Sequence, residues 1–229
     1  MTRREYARSF GLAAFETILG AQTTDRRAYS PNILQTPITF AKTREHLTIQ
    51  YIRNHYDPNA TDTTINPQMI VLHWTAGLTT ESALATFAPE RLPPSRTELL
   101  RGGDVNVSAH FLVSQDGTIR QLMPVTKMAR HVIGLNHVSI GIENVGGPSL
   151  PLTSRQLAAN EALIRYLVAQ LPSVRYLIGH FEATSFRGTP LWRELMTGYQ
   201  DGKVDPGADF MSKVRRAVAD LGLYGQYRK

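Results

Sequence analysis

Two short apolar runs in this sequence end in histidine. One is PQMIVLHWTAG at residues 67–77, which ends its run at His73; the other is VRYLIGH at residues 174–180, which ends at His180. A neutral imidazole is the commonest zinc donor, and a strand end lets a rigid sheet hold a ligand while one side stays open. Two such ends converge when their strands are neighbours. A catalytic zinc needs a third protein ligand and one open position. The candidate is Asp205 in DGKVDPG. The chain has no cysteine, so a metal has to sit on His, Asp or Glu. Each of the three residues has a second reading. A histidine at a strand end also serves as a hydrogen-bonded core residue. Asp205 ahead of Pro206 also reads as the N-cap of the last helix, since Asp at N-cap and Pro at N1 are both favoured. The spacing of the three matches no local zinc pattern, so both readings stand at this level.

The elements that would carry these residues follow from periodicity. MIVLH is a short run rich in branched residues and reads as a buried strand. A helix is expected around ESALATF. VNVSAHFLV alternates, SQDG supplies an Asp-Gly turn, and TIRQLM returns as the second strand of a hairpin. VSIGIENV is a further strand, where Gly141 allows close approach of a neighbour. Polar Glu143 interrupts that otherwise apolar run, and read alone it is equally a strand-end surface carboxylate. LTSRQLAANEALIRYLVAQLP is the clearest helix, with Thr153 and Gln156 as a capping box and Pro172 as its stop. ADFMSKVRRAVADLGL reads as the last helix, with Phe210, Val214, Val218 and Leu221 inward. Upstream, HLTIQYI alternates and reads as a short edge strand, between Pro- and Asn-punctuated segments such as SPNILQTP and DPNATDTTINP. Strands and helices mix around one sheet, so the class is α/β or α+β.

The 229 residues are within the range of one large domain, and 42% hydrophobic against 19% charged residues is an ordinary globular composition. The formal net charge of +6 suits an acidic polymer or surface. The basic residues are scattered, and TRREYAR and KVRR are too short for a nucleic-acid footprint. No apolar run reaches the roughly 18 residues of a membrane span. The N-terminal stretch MTRREYARSFGLAAFETILGAQ has a basic start and an apolar middle, as a signal peptide does, but Glu16 interrupts it; an amphipathic helix capped by Thr2 is the expectation.

IVLHWTAG, SAHFLVSQDGTIRQLMP, SIGIENVGG, LIGH and GKVDPG stand here in the order seen in zinc-dependent N-acetylmuramoyl-L-alanine amidases, and residues 67–220 resemble that family. It is the group that includes phage lysozyme-type amidases and peptidoglycan recognition proteins. The resemblance implies an α/β single domain with a central mixed β-sheet flanked by helices. It implies a catalytic domain at residues 67–229 behind an N-terminal extension at residues 1–66. By the same resemblance His73, His180 and Asp205 fall on the three zinc-ligand positions, Glu143 on the catalytic carboxylate, and Lys203 on a lysine two residues before the aspartate. Two departures stand out: Ala109 replaces a tyrosine that some phage members carry, and Arg130 replaces an aromatic residue. The implied activity is hydrolysis of the amide between N-acetylmuramic acid and L-alanine in peptidoglycan or muropeptides. The alternative is a binding receptor of the same fold that does not cut. Wall-cleaving members work in the cell envelope, periplasm or outside the cell, and fragment-recycling ones in the cytoplasm. The oligomeric state is not legible.

Overall fold

The computed structural model describes residues 30–200 and 202–228. The expected N-terminal helix lies outside the described residues. A six-stranded mixed sheet organises the chain: β1 (Ile33–Gln35), β2 (Met69–Trp74), β3 (Phe111–Val113), β4 (Ile119–Gln121), β5 (Ser139–Asn144) and β6 (Tyr176–Gly179), in the order β1-β4-β3-β5-β2-β6. The four strands β3, β5, β2 and β6 run parallel, β4 is antiparallel to β3, and β1 is parallel to β4. The expected α/β class with a mixed central sheet is what forms.

The central strands are buried on both faces, as parallel strands covered from two sides must be. On one face, Ile70 and Leu72 of β2 and Ile140 and Ile142 of β5 join Leu163, Ile164 and Leu167 of helix α4 (Ser154–Gln170) and Phe210, Met211 and Val214 of helix α5 (Ala208–Ala217). On the other face, Met69, Val71 and Ile178 pack against Val132, Leu135, Ala183 and Phe186, all from irregular segments or 3-10 turns. One face thus carries long helices and the other carries loops, and loops leave room for a groove. Two shorter helices, α2 (Thr80–Phe87) and α3 (Thr97–Leu100), lie between β2 and β3.

The hairpin forms where the Asp-Gly signal put it. Thr118 N–H donates to Asp116 Oδ1 at 2.9 Å, and Gly117 takes φ +86°. A Cβ there would come 2.9 Å from the carbonyl oxygen of Arg155, so both the turn and the helix packing demand glycine. The capping box of α4 also forms: Thr153 Oγ1 accepts from Gln156 N–H at 3.1 Å, and Gln156 Oε1 accepts from Thr153 N–H at 2.9 Å.

Three expectations are corrected. HLTIQYI is not an edge strand but part of helix α1 (Lys42–His55). Its buried residues Arg44, Leu47, Thr48, Tyr51, Ile52 and His55 recur every three or four positions, and seven residues sampled too little of that period. SPNILQTP contains the three-residue edge strand β1, where prolines on either side are tolerated because an edge needs only one ladder. The last helix stops at Ala217 and is followed by a 3-10 turn at Ala219–Leu221, which ends at Gly222 in the left-handed region. Val218 is still buried as expected.

Thr153→Ala should cost about 1 kcal/mol of stability, the usual worth of an N-cap hydroxyl. Urea unfolding measures it. Thr153 bonds Gln156 and Gln115 and none of the candidate ligands His73, His180 and Asp205, so any metal content should not change.

Candidate metal centre and catalytic groove

Strand register assembles the candidate residues. His73 of β2 stands opposite Glu143 of β5. On the other side Leu72 stands opposite Gly179, so His180 follows one residue beyond the last pair of β2 and β6. Glu143, His73 and His180 therefore form one row across the carboxyl ends of three parallel neighbours, on the loop-covered face that also holds Val71 and Ile178. Gly179 starts the 3-10 turn that carries His180. Its N–H donates to Glu182 at 2.8 Å, and Arg215 of α5 binds the same carboxylate through two nitrogens. Asp205 comes from the loop before α5, and its carbonyl accepts from Phe181 N–H at 3.0 Å. It is not an N-cap: that position belongs to Gly207 and the helix begins at Ala208. The capping reading of Asp205 is overturned.

His73 Nδ1 lies 3.0 Å from His180 Nδ1 and 3.1 Å from Asp205 Oδ2, and His180 Nδ1 lies 3.3 Å from the same oxygen. A tetrahedral centre with bonds of about 2.0–2.1 Å has edges of about 3.3 Å, so this triangle matches one face of such a centre. Two imidazoles and a carboxylate also suit zinc chemically and leave a fourth position open. All three residues are buried. The group fits a metal ion.

The electrostatics divide the two carboxylates. Burial opposes the charge of Asp205, but the two imidazoles beside it, those of His180 and His73, outweigh it and hold this carboxyl well below the usual range. Burial pushes Glu143 up to about 8, and the charge of Asp205 adds to the rise. Glu143 Oε2 is buried and meets no hydrogen-bond partner among the described residues. Burial lowers His73 to about 4, against the pull of Asp205, so its imidazole is neutral at pH 7 and available as a donor.

These residues line one groove of about 530 Å³ together with Lys203, Trp74, Arg96, Tyr51 and Tyr199. Lys203 is exposed on its rim. Ala109 is fully buried in the interior. Arg130, where an aromatic residue was expected, is a stitch: its guanidinium donates to the carbonyls of Gly103, Val105 and Leu99 and to the Tyr199 hydroxyl, beneath the Tyr51 ring. Trp74 lines the groove, whereas Trp192 packs on the core under Arg187. His110 is no ligand; it accepts from Gly141 N–H and faces the Lys127 carbonyl. His55 is buried away from the groove's chemistry, 2.7 Å from both Glu194 Oε1 and the Gly102 carbonyl. The residue that sequence reasoning did not connect to the metal triangle is His131, whose Nδ1 is 2.9 Å from His73 Nε2.

A mixed α/β sheet with a buried His–His–Asp triangle and a carboxylate of raised affinity for protons defines a metal-competent α/β domain. Residues 62–208, well over half of the chain, match the family described as N-acetylmuramoyl-L-alanine amidase, and the chain belongs to that family. The curated relatives it resembles include the 1,6-anhydro-N-acetylmuramyl-L-alanine amidase AmpD of Salmonella typhimurium strain LT2, 35% identical over 129 residues. The protein of the same name from strain SL1344 is 30% identical over 132 residues. Each match covers 52% of this chain and spans 61% of the relative's length. Among solved structures, a selenomethionine AmpD derivative aligns with a TM-score of 0.53 at 22% identity, over 83% of this chain and 96% of that one. That likeness supports the fold.

The raised Glu143 has a consequence for the metal-free protein. Unfolded, the carboxyl releases its proton near 4.5; folded, it keeps the proton to about 8. Folding therefore retains a proton that the unfolded chain gives up, and stability falls as pH rises from 4.5 to about 8. Glu143→Gln should give no gain below pH 4.5, a gain that grows across that window, and a constant gain above it. Urea unfolding of both metal-free proteins at a series of pH values tests this.

Proposed function

We propose that this protein is a zinc-dependent hydrolase that cleaves the amide between the lactyl group of N-acetylmuramic acid and L-alanine in peptidoglycan or its fragments. The observation that carries the reading is the His73–His180–Asp205 triangle with Glu143 in the same groove. Both matched relatives are named for this bond in a 1,6-anhydro sugar. In this reading residues 67–229 supply the chemistry, since every named group lies there, and residues 1–66 are an extension to it.

His73 and His180 through Nδ1, and Asp205 through Oδ2, would hold the zinc. When bound, zinc lowers the pKa of water from about 15.7 to about 7 and polarises a carbonyl. Glu143 takes the proton that the attacking water loses and returns it to the departing alanine nitrogen, the work of a general base and then a general acid. Its Oε2 is buried and uncommitted to any other hydrogen bond among the described residues, which leaves it open to take and return a proton. The C–N bond breaks, the oxygen stays on the lactyl carbonyl carbon, and the amine leaves protonated. Lys203 sets its ammonium beside the oxygen that gains negative charge, a contribution of about 3 kcal/mol for one such donor. Its charge, with that of Arg96, also suits a substrate that bears carboxylates. Among the described residues no helix is long and apolar enough to cross a membrane.

Purified peptidoglycan and soluble 1,6-anhydro muropeptides are incubated with the protein and read by mass spectrometry. Peptides with a new L-alanine amino terminus should appear, with no new reducing sugar ends, and a chelator should stop their release. The protein should carry one zinc per chain; His180→Ala and Asp205→Ala should lose it and His110→Ala should keep it. Glu143→Gln should keep the zinc and lose about 10²–10⁴-fold in turnover. A protein that binds the wall and releases nothing would be a receptor, and the proposal would fall.

A further inference from the structure

The half-buried imidazole of His131 touches a proposed metal ligand and has no part in the reaction above. Its Nδ1 lies 2.9 Å from His73 Nε2, and its Nε2 lies 3.4 Å from Ser139 Oγ. Ser139 Oγ in turn donates its hydrogen to the Leu135 carbonyl at 2.8 Å. The direction of this chain can be read from its far end. A carbonyl only accepts, so the single hydroxyl hydrogen of Ser139 is committed to Leu135. The Ser139 oxygen can then only accept from His131, which requires the hydrogen of His131 on Nε2. A neutral imidazole with a hydrogen on Nε2 presents a lone pair at Nδ1. The lone pair on His131 Nδ1 requires the hydrogen of His73 on Nε2. His73 is then left with a lone pair on Nδ1, the atom that faces His180 and Asp205.

We propose that His131, anchored by Ser139 and the Leu135 carbonyl, is a positioning residue that fixes the tautomer and ring orientation of His73 for metal binding. The inference rests on the metal reading of the His–His–Asp triangle and deepens it. Three further features hold the imidazole in place. Its backbone N–H and that of Val132 donate to Asn136 Oδ1 at 2.8 and 2.7 Å, and Asn136 Nδ2 donates to the Tyr56 hydroxyl at 2.9 Å. Its ring stands perpendicular to that of His73, with centroids 5.0 Å apart. It also lies flat against the backbone of β5 at Gly141, where a Cβ would come 2.7 Å from His131 Cγ. Gly141 is thus the space that the relay occupies.

Three measurements test the proposal. In the metal-free protein at neutral pH, two-bond proton–nitrogen NMR should find His131 with its hydrogen on Nε2; a hydrogen on Nδ1 overturns the relay, whatever the protein does with zinc. Zinc affinity is then measured by competition with a chromophoric chelator. His131→Leu removes the acceptor and should weaken zinc about 10–100-fold, the usual cost of a lost outer-shell partner. His131→Asn puts an amide oxygen where Nδ1 stands and should return the affinity close to that of the parent. The cobalt(II) spectrum should follow the same order, altered in the leucine variant and parent-like in the asparagine one. A leucine variant that holds zinc as tightly as the parent overturns the proposal, and so does an asparagine variant as weak as leucine, since packing alone would then explain the loss. A parent that binds no zinc sinks the metal reading instead, and the NMR result stands apart from it.

Discussion

The parallel register of β5, β2 and β6 is the constraint on which the rest of the structure depends. It sets Glu143 beside His73 and brings His180 next in the same row. Side chains alternate faces along a strand, so a slip of one residue in β2 would turn His73 into the helix-packed core and bring Leu72 to the groove. The slip is resisted because the same alternation sorts the apolar residues: Ile70 and Leu72 have α4 and α5 to meet, and Met69 and Val71 have the loop-borne cluster. Two glycines refine the register. Gly141 makes room for the His131 ring, and a Cβ at Gly179 would meet Phe181 and Met211. Gly141 thus admits a ring behind the row of functional groups, and Gly179 admits Phe181 and Met211 on the helix-covered face.

Polar contacts carry the same constraint into the layer behind the row. Asn144 Nδ2 donates to the His73 carbonyl at 3.1 Å, and Asn160 Nδ2 donates to Asn144 Oδ1 at 2.7 Å. Gln156, which closes the capping box of α4, also donates to the carbonyls of Val113 and Val145. The first turns of α4 are thereby bonded to the ends of the strands that bear the site. Such buried groups are costly when unpaired and rigid when satisfied. A site whose donors lie 3.0–3.3 Å apart needs that rigidity.

Much of this was legible in the sequence for physical reasons. The strands with the strongest apolar runs, the Asp-Gly hairpin and the capped helix α4 are each set by local chemistry, and each formed. His73 and His180 could be singled out because imidazole at the end of an apolar run is unusual. Their convergence could not be read locally, because it depends on β2 pairing with β6 across about a hundred residues of chain. The same holds for Asp205, whose Asp-Pro pair mimics a helix cap and whose true partners lie in β2 and in the turn that follows β6. The helical nature of α1 was hidden because a seven-residue window with alternating apolar residues satisfies both periods. The contact of His131 with His73 left one trace, the glycine in β5, which announces a close approach without saying by what.

The division between the two carboxylates is the last consequence of this arrangement. Asp205 and Glu143 line one groove and carry the same functional group, so their difference comes from neighbours. Asp205 Oδ2 lies within hydrogen-bonding distance of two imidazoles, which favour its anion. Glu143 sits in the row but across from them: burial opposes its anion, the negative Asp205 opposes it further, and Oε2 is left without a partner among the described residues. Without a metal, one site thus holds an acid whose anion its neighbours favour and one whose burial favours the proton. Under the proposed reaction the first can only be a ligand, since its lone pairs are committed, and the second can only be the proton carrier, since a committed carboxylate cannot release what it has taken. Exchanging the two roles would require moving the imidazole contacts from Asp205 to Glu143. The loop that brings Asp205 to His73 and His180 therefore decides which carboxylate does which work.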